Sequence, residues 1–184
     1  MARTKIDLLD DAIDVLRTGG ALTIDSLAQR AGLTKPGVLH HFASKEALME
    51  SLVERVGALW EQELVSATRE GESDPLSRFR AYVTRSLTQE FDGADLALLG
   101  DVRLRAQLCQ QWTERLDPWF GNEIPATPAQ RALLHAARLL ADGAWFDQGL
   151  GIASMSDDER SAVKAVALDL IDRATTAHPL NVVS

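Results

Sequence analysis

With one cysteine, Cys109, the chain can form no disulfide within itself, and a cysteine-rich zinc site is excluded. No apolar run reaches membrane-spanning length, and residues 1–16 carry acids where a secretory leader is basic and then apolar. Alternating strand patterns, internal repeats and low-complexity segments are missing as well. There is no metal-ligand cluster, no glycine loop that would cradle a phosphate and no nucleophile motif, and Cys109 has no motif around it. These absences argue against an enzyme, a bound cofactor and a membrane protein. They lead to the expectation of a cytoplasmic protein. Its 184 residues suit one or two small domains, and 46% apolar content is enough for a substantial core.

Positive charge is also scarce. The net charge is −8, which looks wrong for a nucleic-acid binder until its distribution is considered. Residues 1–50 hold six basic and seven acidic side chains, whereas residues 51–184 hold 13 and 20. Within the first 50, the stretch from Ser26 to Lys45 has no acid at all and is the longest such stretch in the chain. Because surface fields are screened beyond roughly 8 Å at physiological salt, local sign matters more than the total.

What is present is helical periodicity almost throughout. Leu9, Ala12, Ile13 and Leu16 form one stripe over Lys5–Arg17, ended by Gly19-Gly20. Helices are expected over Ile24–Ala31 and 35–42, then from a Ser44 cap to about Thr68, over 75–90 and over 94–119 with an interruption near Gly100. A loop with two prolines fills 121–128, and 71–75 is a break. The last two helices are expected over 129–146 and Asp157–Thr176, the latter opened by a capping box from Ser156 to Glu159. Counting 94–119 as two, that makes about nine helices.

The stretch 23–45 reads as two short helices joined by a glycine turn and leading into a third. Ala28 leaves room for a close helix crossing, and Gly32 supplies the positive φ of the turn. Leu33 and Val38 return to the core. Thr34 is placed to cap the second helix, whose first turn tolerates Pro36. This is a helix-turn-helix, and it makes DNA the first partner to consider.

The run AGLTKPGVLHHFASKEAL resembles the DNA-binding signature of the TetR family of transcriptional regulators, with His41-Phe42, Ser44-Lys45-Glu46 and Leu48 matching directly. Pro36 stands where that family usually has glycine, and Leu39 where it most often has tyrosine. The resemblance implies an all-α fold, with an N-terminal three-helix DNA-binding domain at 1–46 and a helical ligand-binding and dimerisation domain at 47–184. It implies a homodimeric repressor that leaves a palindromic operator when a small molecule binds.

In a helix-turn-helix the second helix enters the major groove and its N-terminal residues meet base edges. With Val38 and Phe42 facing the core, Thr34, Lys35, Pro36, Gly37, Leu39 and His40 remain for DNA. Lys35 suits a guanine edge or a phosphate, and Leu39 a thymine methyl. Lys45, at the start of the next helix, and Thr23, ahead of the first, suit phosphates. Arg3 and Lys5 could reach the backbone from the N-terminal arm. Thr23, Thr34 and Ser44 would also cap helices in any protein, and Lys45 could be a solvated lysine. His40 and His41 diverge by ~100° around a helix, so they do not readily share a metal ion.

On 129–146 the polar residues Arg131, His135, Arg138 and Asp142 form one narrow stripe, and nearly everything else is apolar. Such a helix must bury two faces, one on its own domain and one on a partner. The resemblance implies dimerisation through the last two helices, with Ala132, Ala136, Arg138, Asp142, Trp145 and Leu170 at the interface. Trp60, Phe79, Phe91, Arg103, Leu108, Trp112, Trp119 and Trp145 are candidates for lining an inducer site, although each would serve a core equally well. Arginine placement suggests an apolar or anionic ligand. The competing readings are a ligand-independent regulator and a helical protein-interaction module that uses the helix-turn-helix only for packing.

Overall fold

The computed structural model describes residues 3–68, 74–96, 102, 105–153 and 155–176. Among the described residues there are eight α-helices, two short 3₁₀ turns and no strand. The helices are α1 (Lys5–Arg17), α2 (Ile24–Ala31), α3 (Lys35–His41), α4 (Lys45–Ala67), α5 (Pro75–Thr88), α6 (Arg105–Leu116), α7 (Pro128–Leu150) and α8 (Asp157–Thr176). The 3₁₀ turns cover Gly93–Leu96 and Asp117–Trp119. The expected interruption at Gly100 and most of the break at 71–75 lie outside the described residues.

The chain divides into two compact units, one of Met1–Gln62 with Asp92–Leu116, the other of Glu63–Phe91 with Asp117–Ser184. In the first, α1, α2 and α3 form the helical head over a core of Leu8, Ala12, Leu27, Val38, Phe42 and Leu48, all nearly inaccessible to water. The turn at 93–96 rests against α1. Arg17 of α1 donates from Nε to Asp92, 2.8 Å away, and Trp60 of α4 donates from Nε1 to the buried Asp95 at 2.9 Å. In the second unit α7 and α8 lie together, and α5 contacts both. Its core includes Phe79, Val83, Leu134, Ala137, Ala141, Ala167 and Ile171.

Helix ends follow the sequence closely. Gly19 and Gly32 adopt left-handed φ of 73° and 67°. After Gly32 the Leu33 N–H donates to the Ala28 carbonyl at 2.9 Å and Gly32 N–H to Gln29 at 3.3 Å, the paired bonds of a Schellman stop. The Ser156–Glu159 box closes both ways at the start of α8. One helix runs on where a stop was expected: α7 continues past Phe146 to Leu150 and ends at Gly151 in the left-handed region. Gly149 lets it do so beside Phe91, because a Cβ there would fall 2.3 Å from that ring.

Candidate nucleic-acid interface

The geometry of 23–45 is built by three threonine and serine caps. Thr23 accepts from Ser26 N–H at 2.9 Å, while Ser26 Oγ accepts from Thr23 N–H at 2.9 Å, so α2 opens with a reciprocal box. Thr34 accepts from Gly37 N–H at 3.3 Å at the start of α3, and Ser44 from Ala47 N–H at 3.2 Å at the start of α4. The cap role of both threonines is therefore real; the Thr34 cap leaves its hydroxyl hydrogen to donate to a phosphate, whereas the Thr23 hydroxyl already donates to Ser26 Oγ at 3.1 Å.

Val38 and Phe42 are fully buried on one side of α3. Thr34, Lys35, Pro36, Leu39 and His40 are exposed, and Gly37 is half-buried. Leu39 is 38% exposed. Lys45 is exposed at the first position of α4 and Thr23 just before α2. The His40 and His41 rings meet edge to face at 5.5 Å. No group of three metal-ligating side chains occurs among the described residues.

Two placements differ from the sequence reading. Arg3 is ion-paired with Asp11, and the Lys5 ammonium sits 5.4 Å from the centroid of the Phe42 ring, so both are engaged within the head. Lys35 is paired as well: its Nζ lies 3.0 Å from Oδ2 of Asp25 in the first turn of α2. Asp25 precedes the acid-free stretch by one residue, which is why a count of charges along the chain passes over it.

The inducer candidates are divided between the units. In the first, Trp60 and Trp112 meet edge to face at 5.3 Å, with the Trp60 N–H given to Asp95, and Leu108 is fully buried core. In the second, Phe79 is fully buried, Trp119 nearly so, and half-buried Phe91 lies 5.1 Å from Trp145. Arg103 lies outside the described residues.

The polar stripe of α7 is engaged within its own unit. Arg131 donates to the carbonyls of Gly121 at 2.7 Å and of Ile124, closing the loop before the helix. Asp142 accepts from Tyr82 Oη at 2.8 Å, and Arg138 lies 3.6 Å from Asp142 and over the Phe120 ring at 5.6 Å. Asp142 is thus engaged inside its own unit, because a buried phenol must find a partner, and Arg138 lies beside it. The open face of α7 runs through Ala132, half-buried Ala136, Leu139, Gly143, Phe146 and Leu150, at alternating steps of four and three. Leu139 is 61% and Leu150 54% exposed. Leu134, Ala137, Ala141 and Ala144 are buried on the opposite side. Trp145 and Leu170 are half-buried, and Val166 on α8 is exposed.

Burial raises the Asp142 carboxyl above its ordinary value of 3.8, opposed by the Tyr82 bond and the Arg138 charge. Burial, and then the charge of Asp142, push the Tyr82 phenol well above the ordinary range, so it remains a donor. For an acid whose pKa is raised in the folded state, the folded protein holds the proton more tightly. Its stability contribution therefore falls as pH rises from 3.8 through the folded value. Asp142→Asn keeps an acceptor for Tyr82 without the charge. In thermal melts the variant is expected to gain on the native protein across that interval and then hold a constant lead. A lead that shrinks with rising pH would contradict the assignment.

The sequence matches two family models, "Bacterial regulatory proteins, tetR family" over residues 8–52 and "Tetracyclin repressor-like, C-terminal domain" over residues 77–172. The HTH-type transcriptional regulator BetI of Paraburkholderia phytofirmans is 28% identical over 188 residues, spanning 91% of this chain and 89% of its own. BetI regulators of Burkholderia ambifaria and Burkholderia cenocepacia are each 30% identical over 174 residues, 82% of this chain and 81% of theirs.

Proposed function

The chain belongs to the TetR family of DNA-binding transcriptional regulators, and on that premise we propose that it is a homodimeric repressor released from a palindromic operator by a small molecule. Residues 1–46 are the DNA-binding domain and residues 47–184 the ligand-binding and dimerisation domain. The observation that carries the reading is the exposed side of α3, where Thr34, Lys35, Pro36, Leu39 and His40 stand open to solvent over a buried Val38 and Phe42. Those side chains and Gly37 face base edges; Lys45, the N–H groups of the first turn of α4 and Thr23 hold phosphates. Few of them are strong hydrogen-bonding groups, so part of the selectivity comes from the shape of the duplex.

Two copies join through the open seam of α7 with Val166 and Leu170 of α8, setting two heads on half-sites related by a two-fold axis. The inducer is a small apolar or anionic molecule held in the 47–184 domain. Its binding shifts α4, which contributes residues to both compact units, and so alters the heads. For this to work the ligand must favour the state that does not bind DNA. The protein acts in the cytoplasm, where its DNA lies. No helix among the described residues is long and apolar enough to cross a membrane.

Footprinting on duplex DNA from the region upstream of its own gene tests this reading. The expected result is a symmetric protected region with half-site centres one helical turn, or a multiple of it, apart. Protection of a single half-site by one copy would overturn the homodimer.

A further inference from the structure

Asp25 is held against the reading helix itself. The acids of α1 behave otherwise: Asp10 is paired with Arg55, Asp11 with Arg3 and Asp14 with Arg30, none of them in α3. The Asp25–Lys35 pair is largely in water, with Lys35 56% and Asp25 71% exposed, and a pair so placed contributes little to stability. Nor does α2 need Asp25 as a cap, since Thr23 and Ser26 already close its first turn. In the first turn of α2 the carboxylate suits the helix dipole, but that task does not require the ammonium of α3 beside it, and the pair stands at the entrance to the groove.

We propose that Asp25 and Lys35 read DNA as one donor–acceptor unit, Lys35 donating to guanine O6 and N7 while Asp25 accepts from N4 of the paired cytosine. The inference rests on the assignment of α3 to the major groove. On the major-groove edge of a G·C pair the two guanine acceptors and the cytosine amino donor stand side by side. A carboxylate 3.0 Å from the ammonium is therefore within reach of the donor next to the acceptors that the ammonium occupies. Away from such a pair the carboxylate faces phosphates and base acceptors, which it repels, except where the amino group of adenine offers a donor whose neighbours do not match the ammonium as guanine O6 and N7 do. Asp25 thereby makes specific docking stronger and non-specific docking weaker.

In vitro selection from a random-sequence duplex library, with the full native chain, Asp25→Ala and Asp25→Asn, tests this. Binding is then measured on the selected duplex with each base pair changed in turn. The native chain should select a two-fold motif with one required G·C pair in each half-site. Asp25→Ala should keep the rest of the motif, lose about tenfold discrimination at that pair, and bind unrelated duplex more tightly. Asp25→Asn, nearly the same shape, should move the preference there toward A·T, because a carboxamide matches adenine N6 and N7; it decides the matter if Asp25→Ala fails to fold. Unchanged discrimination at every pair in Asp25→Asn, or a loss spread evenly over all pairs, would overturn the proposal. If the native chain selects no motif, the DNA-binding assignment of α3 falls first and takes this one with it.

Discussion

Phe42→Ala is expected to lower stability by about 3–5 kcal/mol, the usual range for emptying a fully buried aromatic site. Phe42 is 1% exposed, one of the largest fully buried side chains in the protein. It follows α3 directly, and its own N–H donates to the Val38 carbonyl at 3.0 Å, so the ring anchors the end of the reading helix in the core of the head. Set against a typical total of roughly 5–15 kcal/mol, the loss is a large fraction. It should appear as a lower denaturation midpoint together with loss of operator binding. Leu39→Ala, three residues earlier and 38% exposed, is the natural contrast. It should leave the midpoint nearly unchanged and alter DNA binding alone. A Phe42→Ala protein with a native midpoint and native binding would mean that α3 is not anchored through this ring.

The second large effect concerns the seam of α7. Leu139 and Phe146 are exposed at alternate positions of that stripe, so Leu139→Glu with Phe146→Glu places two charges there without disturbing the protomer's own core. If two copies meet on this face, the carboxylates are buried without partners and the dimer separates. Two linked heads gain roughly 10²–10⁴ in avidity over one, and the double variant should lose operator affinity by a factor in that range. Sedimentation is expected to give a dimer for the native chain and a folded monomer for the variant. A dimer that persists, with full operator affinity, would move the interface elsewhere.

The contrast between these two regions shows what sequence patterning can and cannot supply. The head was legible because its signals are local. Gly32 must adopt positive φ, Thr34 and Ser44 must cap the helices that follow them, and Val38 and Phe42 four residues apart must share one face. The seam of α7 was harder, because a helix that is apolar on two sides does not declare which side meets its own domain. A narrow polar stripe looks like a surface. Here Arg131 and Asp142 are drawn inward by loop carbonyls and by Tyr82, partners that lie 7 to 60 residues away in the chain. Asp25 was invisible for a related reason: its pairing with Lys35 crosses the turn between two helices. The apolar candidates for an inducer site were beyond reach altogether, since Phe79 and Leu108 are fully buried and composition alone does not separate a pocket from a core.

On the proposed reading, α3 and the first turn of α4 bind DNA through Lys35 and Lys45. The most direct measurement is the affinity of the native chain, Lys35→Ala and Lys45→Ala for duplex from the promoter region of its gene, across a series of salt concentrations. The native affinity should fall linearly on a log–log plot with salt. Each variant should bind more weakly, and Lys45→Ala, which removes one phosphate-binding cation from each head, should show a slope shallower by about one for each such cation. Native affinity and native slope in both variants would mean that neither lysine touches DNA.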